Sequence, residues 1–267
     1  MASQWRTTEW TEVHEVEMDL ARLAGKRWLC RGHSLAYGTL TPSVDRGALR
    51  DLPRASKLER ERQSIDLFRA MAQSFGPGEE AARLDEIIAL AVLRHYGVPT
   101  RLLDWSESPH VAAYFAVCAH DDADGELWAF DHDQYAFMGK TQWERWPKTT
   151  TDGSGDPLKF DAKLTAFAVE DPLDWFCCMF YPRAFPRQAA QHAFYSLTAR
   201  FGVDHADSIS DLLVEPRTFR RYIISSAVKK ELRALLREKQ GISRASLFPD
   251  SAGAAATVKL EVFGQVE

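Results

Sequence analysis

The sequence predicts an α+β fold, a single compact domain in which N-terminal helices pack on a mixed or antiparallel sheet. Three observations carry that expectation. Segments with apolar residues at three- and four-residue steps lead the chain, and strand-like alternation is scattered through its later part. Neither a regular strand–helix alternation nor an internal repeat runs through it. At 267 residues and 30.2 kDa the chain suits one domain, read as residues 1–267 with its core over 10–256 and a surface insertion over 140–157. Its 45% hydrophobic content supplies a core and excludes a disordered or low-complexity chain.

Taken in order, Val13, Val16, Leu20 and Leu23 form the stripe of a helix over Glu9–Ala24 that Gly25 closes. Arg27–Cys30 reads as a short strand. Gly32, Gly38 and Pro42 then break the chain, so Arg31–Arg46 is expected as a strand end and an exposed loop. Ile65, Phe68, Met71, Ala72 and Phe75 mark a helix over Lys57–Phe75, stopped by Gly76-Pro77-Gly78. The next, Glu80–Tyr96, places Leu84, Ile87, Ile88, Ala91 and His95 on one face, with Gly97 at its left-handed end. Val98–Trp105 must turn back sharply. Ser108 caps, and Pro109 opens, a mostly buried helix over His110–Ala119. Glu126–Asp131 alternates as a strand, Thr141–Asp156 reads as a surface loop, and strand character returns at Lys163–Val169. After the aromatic run within Asp174–Tyr181, strands are expected at Ala193–Leu197 and Thr218–Ile224. A helix capped by Ser226 follows, with Val228, Leu232, Leu235 and Leu236 inward and Gly241 at its end.

Thirty-eight acidic residues against 33 Lys and Arg leave a net charge of −5 and no global field toward nucleic acid or anionic lipid. No apolar run reaches the ~20 residues that cross a bilayer. The opening Met-Ala-Ser-Gln-Trp-Arg lacks a basic start followed by an apolar stretch, so a cytoplasmic protein without a membrane partner is expected. Cys30, Cys118, Cys177 and Cys178 show no Cys-x-x-Cys spacing and read as buried thiols, and the histidines have no paired ligand spacing, so no metal is implied. Signatures of zinc proteases, phosphate-loop NTPases and dinucleotide-binding folds are absent. The basic run Arg217, Arg220, Arg221, Lys229, Lys230 and Arg233 reads as a solvated surface before a phosphate contact.

Three segments hold candidate chemistry. Gly32-His33-Ser34-Leu35-Ala36 is one residue short of a Gly-x-Ser-x-Gly nucleophile elbow, so a serine hydrolase using Ser34 is one alternative, although Tyr37–Pro42 would form the required following helix poorly. His95–Trp105 loads a tight turn with Thr100, Arg101, Asp104 and aromatics. There Arg101 and Asp104 are either an ion pair holding the turn or site groups, and Trp105 packs or stacks. With Cys30-Arg31-Gly32-His33 this makes two polar turns between buried elements, the usual layout of a site on a rigid scaffold.

Trp28-Leu29-Cys30-Arg31-Gly32-His33-Ser34, Leu40-Thr41-Pro42-Ser43 with Arg46, His95–Trp105 with Ser108-Pro109, and Ala112-Ala113-Tyr114-Phe115-Ala116 together resemble the FRG-domain family, named for a Phe-Arg-Gly motif. Arg187–Gln191 with Phe194, and Gly241-Ile242 with Leu247–Asp250, extend the resemblance over 10–256. Two departures stand out: Cys30 takes the place of the motif's Phe, and Ala193 the place of a small Gly-like position. Members of that family are associated with prokaryotic and phage-related proteins. The order of an Arg-Gly-His turn, a Thr-containing turn and an Ala-x-x-Phe-Ala helix is also similar to ADP-ribosyltransferases, which split NAD. That likeness implies an NAD-consuming ADP-ribosyltransferase or NAD glycohydrolase, with NAD as co-substrate and a protein or nucleic-acid acceptor left open.

The same likeness implies roles. Arg31 would grip phosphate or a ribose diol and His33 a ribose hydroxyl. Gln191 or Glu215 would serve the reacting centre from a late strand. Arg101 would clamp phosphate and Asp104 would orient it. Gly32, Ser34, Tyr96, Thr100 and Trp105 would complete the cofactor contacts, with Tyr96 or Trp105 stacking on nicotinamide or adenine. A non-catalytic module binding a nucleotide or phosphate ligand is the second alternative.

Overall fold

The computed structural model describes residues 5–72, 79–145, 176–179, 185–213, 215 and 217–263. Seven strands form one sheet: β1 Arg6–Trp10, β2 Trp28–His33, β3 Leu103–Ser106, β4 Gly125–Asp131, β5 Phe176–Met179, β6 Ala193–Thr198 and β7 Phe219–Ile224. Their order is β1-β7-β4-β2-β3-β6-β5, with β1 and β7 parallel and every other pair antiparallel. The helices are α1 Val13–Ala24, α2 Arg54–Met71, α3 Glu86–His95, α4 Pro109–Val117, α5 His132–Arg145, α6 Pro186–Ala190, α7 His205–Leu212, α8 Ser226–Gln240, α9 Arg244–Leu247 and α10 Ser251–Phe263. The α+β expectation, helices packed on a mixed sheet, matches this architecture.

Strand alternation sorts the core. Trp28 and Cys30 of β2, with Leu127 and Ala129 of β4, face α1, α4 and α8. Leu29, Trp105, Trp128 and Phe130 face the other way, onto α5 and α7. Farther along, Tyr195 and Leu197 of β6 pack against α3 and Ile65 of α2. The first and third of these groups lie on one face of the sheet, because Cys30 is paired with Ser106 and Ser106 with Ala193. A gap is left between α3 and α4. Beneath it β2 and β3 share the single pair Cys30–Ser106 and then part.

Two glycines bring α4 onto the sheet. A Cβ at Gly32 would lie 1.9 Å from the Ala112 carbonyl oxygen, and one at Gly125 2.2 Å from that of Ala116. The helix answers with small residues, Ala112, Ala113 and Ala116, all buried. Beside this contact the Lys229 ammonium is fully buried and donates to the carbonyls of Ser34, Ala119, His120 and Ala123 at 2.6–3.0 Å. The loop after β2 is thereby tied to the loop before β4. His120 in that second loop has φ 53°, a left-handed backbone uncommon for a side-chain-bearing residue.

Several expected elements are corrected. The described residues open with β1, and α1 begins at Val13 because Glu12 forms a capping box with Glu15. The expected Glu80–Tyr96 helix is a 3-10 turn, Glu80–Arg83, followed by α3 from an Asp85 cap, which leaves Leu84 90% exposed. The sharp return at Val98–Trp105 leads into strand β3, and two further helices not expected from the sequence are α7, only two turns long, and α10, whose apolar residues follow no clear stripe. Thr141–Arg145 is helical, within α5; the rest of the expected surface loop, Lys163–Val169 and Gly76-Pro77-Gly78 lie outside the described residues. Ser225, not Ser226, caps α8. Lys229 is a buried tether, and Arg221 and Arg233 are paired with Glu126 and Asp121, so the basic run is not a uniform solvated surface.

The tight seat of α4 makes opposite forecasts for two glycines. Gly32→Ala should lower unfolding free energy by about 3 kcal/mol or more, since backbone must move to admit the methyl. Gly25→Ala, whose Cβ meets nothing nearer than 3.6 Å and whose φ is −73°, should be neutral or stabilising by up to ~1 kcal/mol. Denaturant titration of both variants decides it; equal effects would refute the packing argument.

Candidate active site

The gap between α3 and α4 encloses a cavity of about 230 Å³, floored by Cys30, Gly32, Asp104 and Ser106 and walled by Arg31, Arg94, Phe115, Gln191 and Phe248, among others. Arg31 occupies the split between β2 and β3. Its Nε donates to His33 Nε2 at 2.9 Å and its Nη1 to the Asp104 carbonyl oxygen at 2.6 Å, with Asp104 Oδ2 at 3.7 Å. Arg94, in the last turn of α3, donates from Nε to Asp104 Oδ2 at 2.9 Å and from Nη1 to Ser43 Oγ at 3.2 Å. Ser43 Oγ also bridges Thr100, accepting from its N–H and donating to its carbonyl.

On the other side of Arg31, His33 Nδ1 lies 2.9 Å from Glu126 Oε1, and Glu126 Oε2 accepts from Arg221 at 2.8 Å and from the Gly38 N–H at 3.2 Å. The accepting role of Nε2 fixes the tautomer: Nδ1 carries the proton and donates it to Glu126. Arg221, Glu126, His33, Arg31, Asp104 and Arg94 therefore form one hydrogen-bonded chain across β7, β4, β2, β3 and α3.

The electrostatics follow from burial and this order. Burial, together with Arg31, pulls the His33 imidazolium down to about 4, so the ring is neutral at pH 7. Burial and the neighbouring Arg94 bring Arg31 to about 9, Asp104 acting in the opposite sense, and the guanidinium stays charged. For Asp104 burial acts upward, yet Arg94, His95 and Arg31 outweigh it and hold the carboxyl below its ordinary range. Asp104 Oδ1 is buried without a partner. Among the described residues, neither Arg31 Nη2 nor Arg94 Nη2 has a hydrogen-bond partner, and neither does the exposed Arg46 guanidinium, which is close enough to lower both Arg31 and His33. Two guanidiniums, Arg31 and Arg94, thus share the Asp104 carboxylate, with that of Arg46 close by.

The residues expected from sequence divide clearly. Arg31, Gly32, Asp104 and Gln191 border the cavity, and His33 adjoins it through Arg31. Gln191 has little freedom, its Nε2 donating to the Leu247 carbonyl and its own carbonyl accepting from Ser106 Oγ. Arg101 lies elsewhere: it is buried against Glu61 of α2, bonded through Nε at 2.8 Å and through its main-chain N–H at 3.0 Å, under the Phe201 ring. Arg101 and Asp104 are therefore neither an ion pair nor joint site groups, because each has its own partner. Thr100 is fully buried in the same turn. The Trp105 ring points to the far face, with Nε1 on Ser196 Oγ at 2.8 Å, so it cannot stack on a ligand here. Tyr96 is half exposed, bonded to Glu79 and stacked on Arg187, and is not in the cavity wall. Ser34 contributes its carbonyl to Lys229, and Glu215 is exposed before β7, at the opposite end of the sheet from His33.

Sequence reasoning passed over Arg94, Arg46 as a site group, and Glu126. For Glu126 a signal existed: it shares a strand face with Trp128 and Phe130, and a carboxylate on so apolar a face calls for a buried cation. Arg94 sits three residues after Ala91 on the inward side of α3, which marks it in the same way. Among the described residues no cluster of three or more His, Cys, Asp or Glu could hold a metal ion, and no helix is long and apolar enough to cross a membrane.

In comparisons with known proteins, residues 26–125 match the family model of the FRG domain. No curated protein and no solved structure matches the chain. The matched segment contains Arg31, His33, Arg46, Arg94 and Asp104; Gln191, Arg221 and Phe248 lie outside it.

Three histidines, His205 buried and His33 and His95 largely so, give the fold a pH dependence of definite sign. Burial is the main cause in each: it lowers His33 and His95 to about 4 and His205 to about 3, against 6.5 when unfolded. The unfolded chain takes up these protons first, so the stability they contribute is complete above pH 6.5 and is lost as pH falls toward 4, by about 3 kcal/mol per histidine at most. Denaturation midpoints measured from pH 7.5 to 4.5 should fall steadily, and less steeply in His33→Gln; a flat profile would refute it.

Proposed function

The chain being an FRG-domain protein, with the family segment at residues 26–125, we propose that its cavity binds a nucleotide of the NAD class and that the protein consumes NAD as an ADP-ribosyltransferase or NAD glycohydrolase. One observation carries this reading: Arg31 and Arg94 share the Asp104 carboxylate, each with Nη2 unpaired among the described residues, and the exposed Arg46 guanidinium lies near enough to both for an electrostatic effect. Such an excess of convergent guanidinium suits phosphate oxygens, which accept paired, charge-assisted hydrogen bonds. A cavity of 230 Å³ corresponds to roughly eight water volumes. It takes a ring with its sugar, and the rest of a dinucleotide would extend out of the cavity, with the exposed Arg46, whose charge is felt at Arg31, as a further phosphate contact.

The chemistry required is modest. The bond between ribose C1′ and the nicotinamide nitrogen breaks, the electron pair leaves with neutral nicotinamide, and positive charge develops on the sugar. Oxygen from water or an acceptor hydroxyl closes the C1′ centre and its proton passes to solvent. A step of this kind depends on an ionised carboxylate near the sugar more than on a strong base. Asp104 supplies one, ionised at neutral pH and with Oδ1 unpartnered. The Ser34 hydrolase alternative loses support, since both ring nitrogens of His33 are engaged by Glu126 and Arg31. The acceptor is a protein, a nucleic acid or water, and the setting we infer is the cytoplasm.

The test is incubation of the full chain with NAD, with and without nucleic acid and cell lysate, followed by mass spectrometry for nicotinamide and ADP-ribose adducts. Asp104→Asn should abolish release while NAD binding persists. Arg46→Ala, which breaks no side-chain hydrogen bond or ion pair within the described residues, should leave the melting temperature nearly unchanged and raise KM roughly 10- to 100-fold, the worth of one charged hydrogen bond. NAD binding without turnover would identify the recognition module instead, and absence of both binding and release would sink the nucleotide reading.

A further inference from the structure

We infer that the cavity selects ligands bearing a planar ring beside their anionic group, with Phe248 as the specificity-determining residue and Arg187 as the residue that positions it. This rests on reading the cavity as a nucleotide site. The lining is divided in character: Arg31, Arg94 and Asp104 are charged, whereas Ala112 and Phe115 of α4, with Phe248, present only carbon. The two aromatic rings meet edge to face, centroids 6.1 Å apart at 82°. A ligand charged throughout would leave that second wall uncovered, and an apolar one would strand the guanidiniums.

Phe248 is placed with more restraint than a half-buried surface aromatic needs. It lies in the turn between α9 and α10, and each flank of that turn is fastened. Gln191 Nε2 holds the Leu247 carbonyl at 3.1 Å. Arg187 forms a two-pronged pair with Asp250, Nη2 to Oδ1 at 2.8 Å and Nε to Oδ2, while its Nη1 donates to the His95 carbonyl at 2.7 Å. Asp250 also accepts from the Gly253 N–H at 2.8 Å and so opens α10. A Cβ at Gly253 would lie 2.1 Å from the Phe248 carbonyl oxygen, so helix and turn are in direct contact. The Arg187 guanidinium lies 5.3 Å from the Phe248 ring centroid and 4.6 Å from that of Tyr96. Arg187 thus links the end of α3, which carries Arg94, to the turn that carries Phe248, and fixes the spacing between the charged and aromatic walls.

Calorimetry on the full chain separates the two halves of the ligand. Nicotinamide mononucleotide and adenosine monophosphate carry ring and phosphate, ribose 5-phosphate carries phosphate alone, and inorganic phosphate serves as the minimal probe. Both mononucleotides should bind at least tenfold tighter than ribose 5-phosphate, the order expected for stacking one base on an aromatic wall. Phe248→Leu, which keeps apolar volume, should remove that preference with ribose 5-phosphate affinity unchanged, and Arg187→Gln should do the same through the loosened turn. Arg46→Ala should weaken all the phosphates alike. Equal binding of ringed and ringless phosphates by the wild-type chain overturns the inference, as does absence of binding or a uniform loss in Phe248→Leu, and the wild-type comparison decides even where a variant fails to fold. Ring preference without nicotinamide release would sink the NAD-cleavage reading alone; release without ring preference would sink this one alone.

Discussion

The absence of a side chain at Gly32 is the constraint on which the rest of the molecule depends. A helix carbonyl occupies the space where its Cβ would be, so α4 sits lower on β2 and β4 than any larger residue would permit. Because strand side chains alternate, that same strand must send Arg31 and His33 away from the helix. The Arg-Gly pair therefore has two linked duties, with glycine admitting the helix and arginine taking the seam that opens where β2 and β3 part. Cys30, buried beneath the same helix, does the packing that an aromatic residue would do in its place.

Burying so many charges is tolerable because they alternate in sign or are separated by a neutral ring. Arg221, Glu126, His33, Arg31, Asp104 and Arg94 each find a partner of complementary hydrogen-bonding character in the next, which offsets desolvation that no isolated pair would recover. His33 is a spacer here, its tautomer set from both sides. The series ends at Arg94 in the cavity wall, with the positive charge of Arg46 nearby.

Much of the framework was legible from local pattern: α1 and α8 from their stripes and caps, α4 from its cap and apolar run, β4 from alternation, and β6 and β7 as strand-like segments. Arg31, Gly32 and Asp104 were recognisable because polar residues crowd turns between buried elements. What stayed hidden was pairing. Nothing in the order Thr100-Arg101-Leu102-Leu103-Asp104 says that Arg101 turns to Glu61, forty positions earlier, while Asp104 turns to Arg94 and Arg31. Four residues within a strand and its approach cannot present both side chains to one side when a buried partner exists on each. Trp105 was misjudged for the same reason, since the parity of a strand too short to recognise decides its face. Strands β1 and β3 have five and four residues, lengths at which alternation carries little information.

The Lys229 ammonium, ringed by the carbonyls of Ser34, Ala119, His120 and Ala123, occupies a position that in another protein a potassium or sodium ion would fill. Here the ion is covalently leashed to α8. Its occupancy does not vary with the salt composition around the protein, it cannot be dialysed away, and it travels with the helix. The two loops it joins flank the end of β2 that bears His33, so that end of the strand is held by a cation whose local concentration never falls.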